Sequence, residues 1–118
     1  MIAATSWDEI EAEKLSAKIT RKMISARQAT LAQILLRQGA IVPRHSHESE
    51  QYSVILSGAL KFIFDDGETV LHAGQLLVIP SHVPHAAEAL EETMAMDYFS
   101  PRREDWIRKE DSYLRSGA

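Results

Sequence analysis

The chain contains no cysteine. That excludes a disulfide framework, a thiolate metal site and a cysteine nucleophile. It has no run of basic residues and a formal net charge of −4, which argues against a nucleic-acid partner. No apolar stretch approaches the about 18 residues that a membrane-spanning helix needs. The opening Met-Ile-Ala-Ala-Thr-Ser-Trp-Asp lacks the charged and apolar segments of a secretory signal. A cytoplasmic protein with neither membrane nor nucleic acid as partner is therefore expected. Repeats, low-complexity tracts and linkers are also missing, so the 118 residues read as a single domain over 1–118. Hydrophobic residues make up 45%, enough for a packed core without covalent staples.

What is present is a succession of short strand patterns. Leu15, Ala17 and Ile19 alternate with polar residues, and Ala29–Leu36 is a second apolar run ended by Gln38-Gly39. Gln51–Leu56 and Ala59–Phe64 flank Ser57-Gly58 as a hairpin, and Asp65-Asp66-Gly67 turns the chain into Thr69–His72. Leu76–Ile79 is a short buried strand stopped by Pro80, and Thr93–Phe99 is the last. Trp7–Ile10 reads as a helical turn or an edge segment. Arg103 to Leu114 reads as a helix with Trp106, Ile107 and Leu114 on its apolar side. Such spacing of short strands indicates an all-β sandwich or barrel.

His45 and His47 carry the chemistry. In an extended strand, residues two apart share a face about 6–7 Å from one another, so both imidazoles can lean onto one ion. Gln51 and His85 supply further candidate ligands. Glu50 points to the face opposite Gln51, and Ser53 shares the inward one. His72 reads as a surface histidine and His82 as a turn residue between Pro80 and Pro84. On the last strand Thr93, Ala95, Asp97 and Phe99 share one face. Met94, Met96 and Tyr98 share the other and read as core or subunit interface. Asp97 is either paired with an arginine such as Arg103 or a pocket acid/base.

Two blocks give these residues a context. The first is Gly39, five residues, His45-Ser46-His47, three residues, Gln51, six residues, Gly58. The second is Gly74, five residues, Pro80, then His82, His85 and Ala89. This pair resembles the two motifs of the cupin superfamily, with Gln51 where Glu is usual, His82 where Gly is usual and Ala89 where Asn is usual. The resemblance implies an all-β small single-domain cupin jelly-roll, with its barrel over about 28–100 and a C-terminal helix over about 103–115. Within that superfamily the chain is similar to KdgF-type proteins, above all over Asp97-Tyr98-Phe99-Ser100-Pro101-Arg102-Arg103-Glu104-Asp105. These linearise 4,5-unsaturated monouronates from pectin and alginate breakdown and use a Gln in the usual Glu position.

The resemblance implies one divalent transition metal, Zn, Ni, Mn or Fe, on His45, His47, Gln51 and His85. It implies catalytic roles for Asp97 and Arg103 and substrate binding by Phe99, to which Ser53 is added from its inward face. The expected partners are a sugar acid and, in a homodimer, a second copy of the chain. Alternatives are another metal-dependent cupin enzyme, a lyase or dioxygenase, or a cupin that binds a sugar acid or metal without turnover.

Overall fold

A computed structural model describes residues 2–115. After a 3-10 turn at Trp7–Glu9 the chain forms β1 (Glu13–Lys14), β2 (Ile19–Ser25), β3 (Thr30–Leu36), β4 (Ile41–His45), β5 (Glu50–Ser57) and β6 (Ala59–Phe64). It continues with β7 (Gly67–His72), β8 (Leu76–Ile79), β9 (His85–Ala89) and β10 (Thr93–Ser100). Two one-turn helices close it, α1 (Glu104–Ile107) and α2 (Ser112–Arg115). One sheet runs β1-β2-β3-β10-β5-β8 and the other β4-β9-β6-β7, all neighbours antiparallel. The two sheets form the small all-β jelly roll, packed face to face over one core.

Strand alternation decides which side chains enter that core. On β5, Gln51, Ser53 and Ile55 are buried while Tyr52 and Leu56 are exposed. On β10, Thr93, Ala95, Asp97 and Phe99 are buried while Tyr98 is exposed. The β5–β10 register sets Ser53 opposite Asp97 and Gln51 opposite Phe99. A polar row therefore sits inside an otherwise apolar barrel, at one end of the sheet. Ile55, Ala95, Leu60, Phe62 and Ala87 fill the interior beyond it. The β5–β6 hairpin turns at Gly58, where φ is +93° and an added Cβ would lie 2.3 Å from the Glu92 carbonyl oxygen. Only glycine fits there.

Three expectations need correction. The Leu15–Ile19 alternation is not one strand: the N–H groups of Leu15 and Ser16 both donate to the Ile19 carbonyl, so the chain turns between β1 and β2. Leu15 and Ile19 are still both buried, which is why the apolar spacing looked strand-like. The Leu76–Ile79 strand is not buried throughout: β8 lies at the edge of its sheet, with Ile79 buried and Leu76 and Val78 exposed on the outer face. Strand β9, which has no β signal in Ala86-Ala87-Glu88-Ala89, is not anticipated by the sequence; its pairing with β4 and β6 overrides the local preference.

The C-terminal helix over 103–115 is two separate turns. After α1, Lys109 takes φ +59°, the Glu110 N–H reaches the Asp105 carbonyl and the Lys109 N–H that of Trp106. This left-handed cap stops the helix. The chain then brings Asp111 to Arg21 at 2.8 Å, both side chains fully buried, and seats Leu114 in the core.

Candidate metal centre and active site

The His-x-His pair straddles a strand end instead of sharing a strand face. His45 is the last residue of β4, and His47 lies in the loop that leads to β5. His85 opens β9 directly opposite His45. Gln51 comes from the facing sheet. The rings converge, with centroids 5.7 Å apart for His45–His47, 4.3 Å for His45–His85 and 5.0 Å for His47–His85. One nitrogen from each ring lies within 4.8 Å of the others, so these three histidines can hold a metal ion.

The hydrogen bonds show which nitrogens are on offer. Nδ1 of His45 contacts the Pro43 carbonyl oxygen at 2.7 Å, Nδ1 of His47 that of Ser49 at 2.8 Å, and Nδ1 of His85 that of Val83 at 2.8 Å. A carbonyl only accepts, so each Nδ1 carries the proton and each Nε2 keeps its lone pair. This is the tautomer a metal-ligating histidine needs. Burial, above all, lowers the pKa of His45 to about 4. Burial and then the Arg103 charge do the same for His47, also to about 4. His85 is lowered as well, first by burial. Near neutral pH all three are uncharged donors.

Two further observations test the fit of an ion. Nε2 of His85 is buried and has no hydrogen-bond partner. Nε2 of His47 and Oε1 of Gln51 face each other at 3.0 Å. The Gln51 amide nitrogen is committed to Ser53 Oγ at 2.9 Å, so the meeting atoms are two acceptors. A cation between them would turn an unfavourable contact into two ligand bonds, and neighbouring ligand atoms about 2.0–2.2 Å from one ion lie about 2.8–3.6 Å apart, a range that includes the observed 3.0 Å. The residues fit a divalent metal.

Around this centre lies a cleft whose wall includes His45, Gln51, His85, Asp97, Arg103 and Tyr113. Asp97 is buried, and its Oδ1 has no hydrogen-bond partner. Burial raises its pKa from 3.8 to about 6, against the opposing effects of a Ser53 hydrogen bond and the Arg103 charge. The sequence-level alternative of an Asp97–Arg103 ion pair does not match the structure. Arg103 instead forks onto Asp105, Nε to Oδ1 at 2.9 Å and Nη2 to Oδ2 at 2.7 Å, and Nη2 also donates to Tyr113 Oη at 2.7 Å. Its guanidinium lies 4.8 Å from the Phe99 ring centre and 4.3 Å from that of Trp106. Nη1 takes no part in these bonds, so a cationic donor remains for a ligand.

Ser53 and Phe99 sit differently from one another. Phe99 lines the cleft and meets His47 edge-on at 5.7 Å. Ser53 is fully buried behind that wall, between Gln51 and Asp97. His82 does form the expected turn, with φ +66° and its N–H bonded to the His47 carbonyl at 2.8 Å. Its left-handed backbone explains why glycine is the usual residue there. Tyr113 escaped the sequence reading. It stacks on His45 with centroids 4.5 Å apart and covers the cleft from α2. No spacing rule connects it to the histidine blocks, because α2 is one turn held in place by distant partners.

Residues 33–100 match the Cupin domain family. The structure of KdgF from Halomonas sp. is similar, with 29% identity, a TM-score of 0.78, and coverage of 84% of this chain and 94% of that one. An RmlC-like cupin from Shewanella frigidimarina gives 28% identity and a TM-score of 0.81, covering 86% and 93%. Oxalate decarboxylase from Bacillus subtilis, at 18% identity and a TM-score of 0.73, covers 82% of this chain and 29% of that one and shares the fold. No curated protein matches the chain. Among the described residues no helix is long and apolar enough to cross a membrane.

Proposed function

The chain belongs to the cupin family, and from that premise we propose that it is a metal-dependent enzyme opening the ring of 4,5-unsaturated monouronates to linear keto-uronates. One observation carries this reading. Three imidazole lone pairs and a neutral amide oxygen converge on one wall of a cleft that also contains an unpartnered carboxylate oxygen and a forked arginine.

His45, His47, His85 and Gln51 would hold the ion. All four side chains are neutral, so a divalent ion held there would keep its charge uncompensated and would supply Lewis-acid chemistry to a bound sugar acid. Arg103 orients the carboxylate of that acid through Nη1, since its other donors are occupied by Asp105 and Tyr113. Asp97 takes the proton of the anomeric hydroxyl on Oδ1. The anomeric carbon then becomes a carbonyl as its bond to the ring oxygen breaks, and the released electron pair resides on the enolate of an α-keto acid. Asp97 returns the proton to C4, which balances the isomerisation without any co-reactant. A carboxyl with a pKa of about 6 suits both transfers near neutral pH. Phe99 and Tyr113 wall the cleft and limit the access of water.

The test is direct. Purified protein loaded with one divalent metal is given the unsaturated monouronates released by a polysaccharide lyase. Loss of the ultraviolet band of the 4,5 double bond, with linear keto-uronate seen by proton NMR, is expected. Unchanged substrate with every metal of the Mn–Zn series would overturn the assignment.

A further inference from the structure

The contact between His47 and Gln51 poses a question that the metal reading alone does not answer. Nδ1 of His47 donates to Ser49, so its Nε2 is an acceptor. The amide of Gln51, rotated by half a turn, would present its NH₂ to that nitrogen at the same 3.0 Å and make a good hydrogen bond. Locally, the rotated amide is the better arrangement. It would also put a non-coordinating nitrogen where an ion needs an oxygen. Something else must hold the oxygen forward.

The candidate lies immediately behind. Gln51 Nε2 donates to Ser53 Oγ at 2.9 Å. Ser53 is fully buried and lies directly opposite Asp97 in the β5–β10 register, which puts its hydroxyl beside the Asp97 carboxyl group. Directly opposed residues of an antiparallel pair have Cβ atoms about 4.5–5.5 Å apart, which suits a hydroxyl and a carboxylate. A carboxylate only accepts hydrogen bonds, and a hydroxyl has a single proton. Once Ser53 gives that proton to Asp97, its oxygen can only accept, so the group of Gln51 that meets it must be the NH₂.

We propose that Ser53 is a positioning residue which, with its single proton committed to Asp97, fixes the orientation of the Gln51 amide and keeps Oε1 turned toward the three histidines. The device stabilises an acceptor–acceptor contact in the metal-free protein and so prepares the fourth ligand. It also places the acid/base Asp97 and a metal ligand on one hydrogen-bond chain. The inference rests on the metal-centre part of the proposed function and not on the uronate reaction.

The test uses the affinity of the whole chain for Zn²⁺, measured at about pH 8 by competition with a chromophoric chelator. Ser53→Ala is expected to weaken binding about 10–100-fold, the usual cost of losing a supporting hydrogen bond behind a ligand. In a Gln51→Ala background the same substitution is expected to have little effect, because no amide is left to orient. In a Gln51→Glu background it is also expected to matter little, since the two carboxylate oxygens are equivalent. Ser53→Cys, which retains the volume with a weaker donor, should lie between wild type and Ser53→Ala and serves if the alanine variant does not fold. An equal loss in all three backgrounds, or no loss in wild type, would overturn the inference while leaving the metal centre standing. Failure of the wild-type chain to bind Zn²⁺ would overturn both.

Discussion

Replacing Asp97 with Asn keeps the side-chain shape and removes its charge, and the structure predicts opposite effects on stability and turnover. Burial holds the Asp97 carboxyl at a pKa of about 6 instead of 3.8. Between those values the folded protein retains a proton that the unfolded chain has lost, so this residue's contribution to stability falls as pH rises. The cost is absent below about pH 3.8, grows through the interval and reaches roughly 3 kcal/mol above pH 6. Asn escapes it but leaves a buried amide N–H in need of a partner, which costs about 1–2 kcal/mol. Metal-free Asp97→Asn is therefore expected to be about 1–2 kcal/mol more stable than wild type at about pH 8. That advantage should vanish, and then reverse, as pH falls from 6 toward 4. Urea denaturation in the presence of chelator at several pH values measures the difference, and the histidines common to both proteins cancel. Turnover of an unsaturated monouronate at saturating metal should fall on the order of 10²–10⁴-fold in the same variant. A variant less stable at about pH 8, with near-normal turnover per folded molecule, would refute the acid/base assignment and make Asp97 a structural residue.

Other substitutions test the remaining parts. His47→Ala should remove most bound metal by elemental analysis, because it takes away one of three converging imidazoles; full stoichiometric metal would defeat the ligand set. Gln51→Glu should bind metal more tightly through its added charge yet lower ring-opening activity, since the ion becomes a weaker electrophile. Equal or higher activity would show that a neutral ligand is not required. Gly58→Ala should cost roughly 3 kcal/mol or more in denaturant unfolding, because its Cβ would meet the Glu92 carbonyl at 2.3 Å and Thr93 Oγ1 at 2.6 Å; wild-type stability would contradict the turn geometry. A homodimer through the outer face of the six-stranded sheet is expected, where Tyr52, Leu56, Leu76, Val78 and Tyr98 are exposed together. Tyr98→Glu with Val78→Glu should then elute as a monomer from a sizing column, and a monomeric wild type would exclude that interface.

Period-two patterning and the spacing of the histidine blocks determined a great deal. The inward sets Gln51-Ser53-Ile55 and Thr93-Ala95-Asp97-Phe99 could be read directly, because a strand alternates faces whatever it packs against. The turn at Gly58 and the barrel architecture were legible for similar local reasons. Tertiary structure decided the rest. Whether Asp97 pairs with Arg103 depends on where Asp105 and Tyr113 arrive, and both belong to a segment whose helices are too short to form alone. That segment is positioned by Asp111 on Arg21 and by Leu114 in the core, contacts about ninety residues apart in sequence. The charge state of the site is likewise non-local, since burial by both sheets lowers the histidines and raises Asp97. Residue order along one strand determines which side chains face inward. The partners they meet there, and the protons they carry, are set by elements that only folding brings into contact.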